Sequence, residues 1–447
     1  MRGIPSLITD IRKKVFTEVA RMAYAGDDYT KAEDLPYVIV PGDQPLHRES
    51  VFLERAIAGE RVRLAMGLPV RSVQTRSLLT EGMDKAAIAQ QYYEPPLINI
   101  IPYACHACPT NQYKVTENCQ NCLAASCQQV CPRDAISFVN GKSHIDASKC
   151  IKCGRCAQAC DYNAIIHMER PCQAACGMDA IGSDENGKAI INQDKCVSCG
   201  QCLVSCPFGA IVDKGQIYQV VRSIVEGDEI YAIAAPAFAR QFGKDVTVAK
   251  FRAAVQQLGF TDMIEVAVGA DICTVEEAKD FLEKVPAQQP YMATSCCPAW
   301  HAMVHKLFPA QAKNISMTLT PMVYTARMVK KEHPNAKIVF VGPCAAKKLE
   351  AIRENIRSDV DFVLTFEELM GMFDFENLPE VGSPDEGTAA GRGFAVAGGV
   401  ARAVVEVVHE THPDMDIKVA NAQGLRDCRK LMNMAKVGKY NGYLLEG

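Results

Sequence analysis

The chain has 447 residues, 48 Lys and Arg against 52 Asp and Glu, a formal net charge of −4 and 48% hydrophobic residues. That is ordinary globular composition, long enough for two or three domains, and it excludes a disordered, collagen-like or coiled-coil chain. The near-neutral balance gives no overall basic signal for nucleic acid, and no run approaches the ~20 uncharged apolar residues of a membrane span.

The opening MRGIPSLITDIRKKVFTEVARMAYAG carries charges throughout and lacks the apolar core of a secretory signal. A cytoplasmic protein is expected, with no nucleic-acid partner and no membrane span. In that compartment clustered cysteines read as metal ligands before disulfides. The chain has 21 cysteines, and sixteen of them fall between Cys105 and Cys206.

Residues 1–95 contain no cysteine. Amphipathic runs at 9–24, 48–66 and 83–93 predict helices, and the Pro/Gly-rich stretch 35–45 predicts a loop. This helical N-terminal region carries no evident chemistry and reads as a cap or docking domain. Residues 96–215 form the cysteine-rich block, with the α+β character of ferredoxin-like iron–sulfur modules. From 220 to 447, apolar β-branched runs at 230–233, 263–268, 337–341, 362–364, 418–420 and 443–445 alternate with helical stretches such as 246–258 and 275–284. That alternation predicts an α/β domain with parallel sheets flanked by helices, and such folds place their sites at the C-terminal ends of the strands.

Within the block, Cys150-x2-Cys153-x2-Cys156-x3-Cys160 and Cys196-x2-Cys199-x2-Cys202-x3-Cys206-Pro207 match the bacterial [4Fe–4S] run. Three close cysteines wrap one cube, and the fourth ligates another. A zinc ribbon also uses paired CxxC, but leaves the third close cysteine without a role. Ala-Ile recurs four residues after each of Cys131, Cys160, Cys176 and Cys206. The offsets predict two tandem two-cluster modules. In the first, Cys119, Cys122 and Cys127 join Cys160, and Cys150, Cys153 and Cys156 join Cys131. In the second, Cys196, Cys199 and Cys202 join Cys176. By elimination, Cys105 and Cys108 join Cys172 and Cys206; the alternative is a three-cluster protein in which these four do something else. Three or four cubes in one chain make an electron wire.

Two cysteine motifs lie in the α/β region: Thr294-Ser295-Cys296-Cys297-Pro298-Ala299-Trp300, holding the only Trp, and Gly342-Pro343-Cys344-Ala345-Ala346-Lys347-Lys348-Leu349-Glu350. They resemble the first two signature motifs of the [FeFe]-hydrogenases, or iron-only hydrogenases, and the cysteine block resembles that family's accessory ferredoxin domain. The likeness covers roughly residues 100–447 and is nearest the divergent group B members.

The resemblance implies an H-cluster, a [4Fe–4S] cube linked to a di-iron unit with CO, CN and dithiolate ligands. Cys297 and Cys344 would be two of the cube's four thiolates, Cys296 the proton-shuttling thiol, and Lys347 the partner of a cyanide ligand. Pro236 and Ala237 would line the same pocket. Glu277, Ser316, Asp280 and Lys284 would stand at proton-relay positions, with Asp280 and Lys284 replacing the usual Glu and Arg, and Glu350 would close the second motif. On charge pattern alone, without the resemblance, Glu277, Asp280 and Lys284 read first as a salt-bridged helix face. Gly342 replaces a usual Met, Ala237 a usual Ser and Met322 a usual Gln.

The family's third motif opens with Glu and supplies two more thiolates. The sequence ends at Tyr443-Leu444-Leu445-Glu446-Gly447, where that motif begins, so a fragment of a longer protein is expected: one that holds its ferredoxin clusters, holds the H-cluster poorly and is inactive as given. Cys273 reads as a structural thiol, and Cys428 as a structural or surface thiol. The implied function is reversible reduction of protons to H2, with ferredoxin or a similar low-potential carrier and hydrogenase maturation enzymes as partners. An H2 sensor, an iron–sulfur assembly protein and a plain polyferredoxin are the other readings.

Overall fold

The computed structural model describes residues 6–26, 28–353, 356–373 and 387–447. Its largest sheet sets Asp262–Glu265, Ile230–Ala234, Lys337–Gly342 and Phe362–Thr365 side by side, all parallel. Ile230–Ala234 is buried along its whole length, as expected for a parallel strand covered on both faces by helices. A second parallel sheet orders Met292–Ala293, Tyr443–Glu446 and Lys418–Asn421. The expected strands are therefore present, each within a residue or two of its predicted limits except the run at 263–268.

That run ends as a strand at Glu265, and the helix expected at 275–284 begins at Val266 and continues to Lys284. Val266, Ala267, Gly269, Ala270, Cys273 and Thr274 are all buried. A helix covered on every side has no polar stripe, so its first half lacks the 3.6-residue signature. A Cβ on Gly269 would stand 2.4 Å from the Pro321 carbonyl oxygen, which shows how closely this central helix meets helix Pro321–Glu332.

In the N-terminal region, helices Leu7–Tyr24 and Val51–Ala65 form as expected, each capped by a serine side chain, Ser6 and Ser50. Residues 35–45 are not wholly loop: Leu35–Ile39 makes one helical turn, with Pro36 in its first turn. The helix expected at 83–93 ends at Ala86. Tertiary donors take the carbonyls that would continue it: Gln219 Nε2 donates to the Ala86 oxygen at 2.7 Å, and Lys337 Nζ to that of Ala89 at 2.8 Å.

These helices do not keep a core of their own. Val15, Phe16 and Val19 of the first helix share one apolar cluster with Ile230, Ile233 and Phe362 of the sheet. Each fully buried side chain of this size contributes roughly 1.5–3 kcal/mol. A buried ionic network crosses the same junction. Lys348 Nζ lies 3.1 Å from Asp213 and 2.9 Å from Glu368, and Arg12 meets Asp213 at 3.3 Å and Glu367 at 2.9 Å.

The cysteine-rich block is built from short antiparallel pairs: Gln112–Val115 with Ile165–Met168, Ile136–Val139 with Lys142–Ile145, and Ile181–Ser183 with Ala189–Ile191. Ile98–Ile100 pairs with Ile211–Asp213 and closes the block. Among the described residues no helix is long and apolar enough to cross a membrane.

Candidate functional site

The repeated cysteine motifs share one backbone conformation. In the leading CxxC of each motif the second intervening residue is left-handed: Ala107 (φ 46°), Asn121 (51°), Lys152 (59°) and Ser198 (54°). A side-chain-bearing residue held there costs about 1–3 kcal/mol, so a conformation repeated four times marks a shared constraint. The residue before each recurrent Ala is left-handed too: Asp134, Asn163, Asp179 and Gly209. This turn aims the Ala amide back at sulfur. Ala135, Ala164 and Ala180 donate to the Sγ of Cys131, Cys160 and Cys176 at 3.3, 3.4 and 3.3 Å. Lys152 and Ser198 amides do the same to Cys150 and Cys196, each at 3.4 Å. The spacing seen in sequence thus encodes N–H donors aimed at sulfur, which suits thiolates holding a cluster.

The structure brings three of the expected foursomes together, and two members of the fourth. Cys131, Cys150, Cys153 and Cys156 line one cavity, and Cys105, Cys108, Cys172 and Cys206 line another. The second group is the one reached in sequence only by elimination. Its upstream CxxC is tied to the second module by the Ala189 amide, which donates to Cys105 Sγ at 3.4 Å. Cys119 and Cys127 converge on Ser143, whose amide lies 3.4 Å from Cys119 Sγ and whose hydroxyl lies 3.6 Å from Cys127 Sγ. Cys160 precedes strand Ile165–Met168, which pairs with Gln112–Val115 in the same module. Burial, then Cys199, Cys196 and Cys176, push the Cys202 thiol well above its ordinary range.

This last group abuts the α/β domain. Met178, Ala180 and Val197 share an apolar cluster with Trp300 and Met303, and Cys176, Cys196, Cys199, Cys297 and Cys344 pack against it. The contact is close: a Cβ on Gly177 would stand 2.6 Å from the Arg426 amide nitrogen, and Arg426 donates to the Ala174 carbonyl at 2.7 Å.

The C-terminal motifs meet at strand ends. Cys296 and Cys297 follow strand Met292–Ala293, and Cys297 caps helix Pro298–Leu307, which Trp300 anchors by donating to the Thr294 carbonyl at 2.9 Å. Cys344 follows strand Lys337–Gly342. Pro236 and Ala237 lie in the turn after strand Ile230–Ala234. Burial, then the neighbouring Cys297, raise the Cys344 thiol to about 12. Burial and Cys297 likewise hold Cys296 far above its usual value. Lys347 Nζ donates to the Cys296 carbonyl at 3.1 Å and to Glu350 at 2.7 Å. Burial alone would lower this ammonium's pKa, but Glu350 raises it, so Lys347 stays charged. The Thr320 hydroxyl holds the other Glu350 oxygen at 2.5 Å.

Glu277 has no exposed surface, and neither carboxylate oxygen has a hydrogen-bond partner among the described residues. The Ser316 hydroxyl and the Ser295 amide lie near enough to favour its charge but miss bonding geometry, and burial dominates, raising its pKa to about 7. Asp280 and Lys284 pair at 2.6 Å at the part-exposed end of the same helix. For these two the salt-bridge reading describes the geometry, while Glu277 stands apart from it. Gly342 is explained by Phe340, whose ring would come within 2.3 Å of a Cβ there, so this aromatic takes the space of a longer side chain.

Two residues read only as structural in the sequence are near the site. Cys273, one turn before Glu277, is buried, and its thiol is raised by burial and by Glu277 and Cys296. The i, i+4 spacing to Glu277 was the available signal. Cys428 is not a surface thiol. It is buried on helix Leu425–Lys436, with Cys297 among the groups that raise its pKa to about 12. Glu446 is buried and accepts the Gly398 and Ala401 amides at 2.7 and 2.8 Å. Among the described residues no three or more His, Cys, Asp or Glu gather tightly enough for a single metal ion.

Residues 228–447 match the family model for the iron only hydrogenase large subunit, C-terminal domain, and residues 143–166 and 189–212 match the 4Fe-4S binding domain. The chain is 28% identical over 394 residues to iron hydrogenase 1 of Clostridium pasteurianum, across 78% of this chain and 67% of that protein. It is 30% identical over 365 residues to the periplasmic [Fe] hydrogenase large subunit of Nitratidesulfovibrio vulgaris, across 70% of this chain and 84% of that protein. A cytosolic Fe-S cluster assembly factor, NAR1, of Meyerozyma guilliermondii is 29% identical over 134 residues, across 27% of this chain and 25% of that protein.

Proposed function

As the chain belongs to the iron-only hydrogenase family, we propose that it catalyses the reversible reaction 2 H+ + 2 reduced ferredoxin = H2 + 2 oxidised ferredoxin. Four [4Fe–4S] clusters on the foursomes described above would carry the electrons, and an H-cluster would stand beside Cys296, Cys297, Cys344 and Lys347. The donor set suits such a group: buried thiols, an ammonium with one acidic partner, and a buried carboxylate with no hydrogen-bond partner among the described residues. Cys297 and Cys344 are two of the four thiolates the cube takes in this family; no cysteine follows Cys428 in residues 1–447. When bound, the H-cluster supplies the metal centre where protons and electrons combine.

The protein's own contribution is proton handling and charge. Lys347 presents a fixed positive charge to anionic ligands. Glu277, with a pKa near 7, holds a proton at neutral pH and also releases it, which is what a relay requires. Cys296 and Ser316 bracket its inner end, and Asp280 and Lys284 stand towards solvent. The single observation that carries this reading is Glu277: a wholly buried carboxylate without a hydrogen-bond partner among the described residues, beside a signature thiol.

Ferredoxin or a similar low-potential carrier, maturation enzymes and a cytoplasmic setting belong to the same proposal. The test is H2 evolution from reduced viologen by full-length protein co-expressed with its maturases. Activity lost in Cys296→Ala at full cluster content is the expected result; an inactive wild type with full cluster content overturns the proposal. The likeness to an assembly factor supports a second reading, a role in building clusters, and that reading gives Glu277 no task.

A further inference from the structure

The two cluster sites of the second module are both formed mostly by half-buried cysteines, but they differ in the charge set around them. The cavity of Cys105, Cys108, Cys172 and Cys206 has one charged side chain in its lining, Arg170. Arg170 is 1% exposed. Its Nε and Nη2 donate to the Cys108 carbonyl at 3.3 and 3.0 Å, and its Nη1 to that of Gly182 at 2.8 Å. On the side of Cys206, Arg61 is 7% exposed, donates to the Gly209 carbonyl at 3.0 Å and leaves its Nε without a partner. Neither guanidinium pairs with a carboxylate among the described residues. Burial lowers the Arg61 pKa only to about 10, so it remains charged at neutral pH.

At the neighbouring site the Lys306 ammonium donates to the Cys196 carbonyl at 2.9 Å, but it is exposed to water. The strongest charged influences on Cys199 and Cys202 are other thiols. The Cys131 site of the first module does have two arginines in its lining, Arg133 and Arg155, but both are exposed to water, where a charge is screened. A buried charge acts through a lower dielectric and is felt far more strongly.

We propose that Arg61 and Arg170 raise the reduction potential of the Cys105/Cys108/Cys172/Cys206 cluster above that of its module partner at Cys176, Cys196, Cys199 and Cys202. This rests on the proposal that each foursome holds a [4Fe–4S] cluster. Reduction adds one electron, and so one negative charge, to a cube already held by four thiolates. A fixed buried cation stabilises the more negative state, so the potential rises. The Cys176 site packs against Cys297 and Cys344. A potential step between the two clusters would therefore draw electrons away from the buried site, favouring H2 oxidation over evolution at this point of the wire.

The test is a redox titration followed by electron paramagnetic resonance on full-length protein produced without maturases, so that only cubane signals appear. The signal lost in Cys172→Ser, along with the iron of one cluster, identifies the site. In Arg61→Gln and Arg170→Gln that signal should move to lower potential while the others stay, with iron content unchanged, and Arg61→Lys should restore it. Full iron with an unmoved signal in both Gln variants overturns the inference. If Arg170→Gln does not fold, Arg61→Gln, which frees one carbonyl, decides alone. Cys172→Ser retaining all its iron would instead overturn the cluster assignment, a separate outcome.

Discussion

Glu277→Gln tests the electrostatics of the site directly. Burial raises the carboxyl from its ordinary 4.5 to about 7, a preference for the neutral form of ~3 kcal/mol. Because the folded-state value is the higher one, the native protein binds more protons than the unfolded chain between these two pH values. Stability therefore falls as pH rises through that window. Glutamine, neutral at every pH, lacks the fall. Its stability advantage over wild type should widen by roughly 2–3 kcal/mol from pH 5 to pH 8. Urea unfolding of the anaerobic, cluster-loaded protein at both pH values measures the gap, and infrared difference spectroscopy follows the protonated carboxyl band. That band should titrate near pH 7 in wild type and be missing in the variant. A band titrating near 4.5, or a gap independent of pH, would refute the reasoning. With the H-cluster in place, the same substitution removes a positioned proton carrier and should cost about 100-fold or more in H2 evolution.

Three further outcomes follow from the geometry. Lys348→Met removes the cation paired with buried Glu368 and leaves Asp213 to Arg12, and should cost about 3–5 kcal/mol in denaturant titration. Gly177→Val forces a side chain against the Arg426 backbone; stability should drop by about 1–3 kcal/mol, and viologen-driven turnover should slow while total iron stays constant. Cys105→Ser should lower iron by about four atoms per chain, measured colorimetrically; iron at the wild-type level would mean that Cys105 is not a ligand.

The cysteine block was the most legible part of the sequence because its chemistry is written in short spacings. Even the foursome containing Cys105 and Cys108, found by counting leftovers, is gathered at one cavity. The physical cause of the Ala-Ile repeat was not legible, since a left-handed residue that turns an amide towards sulfur is a property of the backbone. The strands were legible from their apolar β-branched runs, whereas the first half of helix Val266–Lys284 was not, because burial on all sides erases periodicity. Cys273 was missed as a neighbour of the site because the only sign of it was its i, i+4 spacing to Glu277, a spacing that every helix repeats. The helix expected to follow Met83 was misjudged because distant side chains, Gln219 and Lys337, claim its carbonyls.

The apolar cluster shared by Val15, Phe16 and Val19 with Ile230 and Phe362 also bears on biosynthesis. A ribosome releases the first helix long before it releases the strands that cover it, and the entire cysteine block emerges in between. Helix Val51–Ala65 can cover part of the opening helix early, but the face turned to the strands must wait, so a chaperone or slow assembly governs yield. Nascent chains arrested after residue 215 should lose helix Leu7–Tyr24 to protease, while chains extended through residue 373 should protect it.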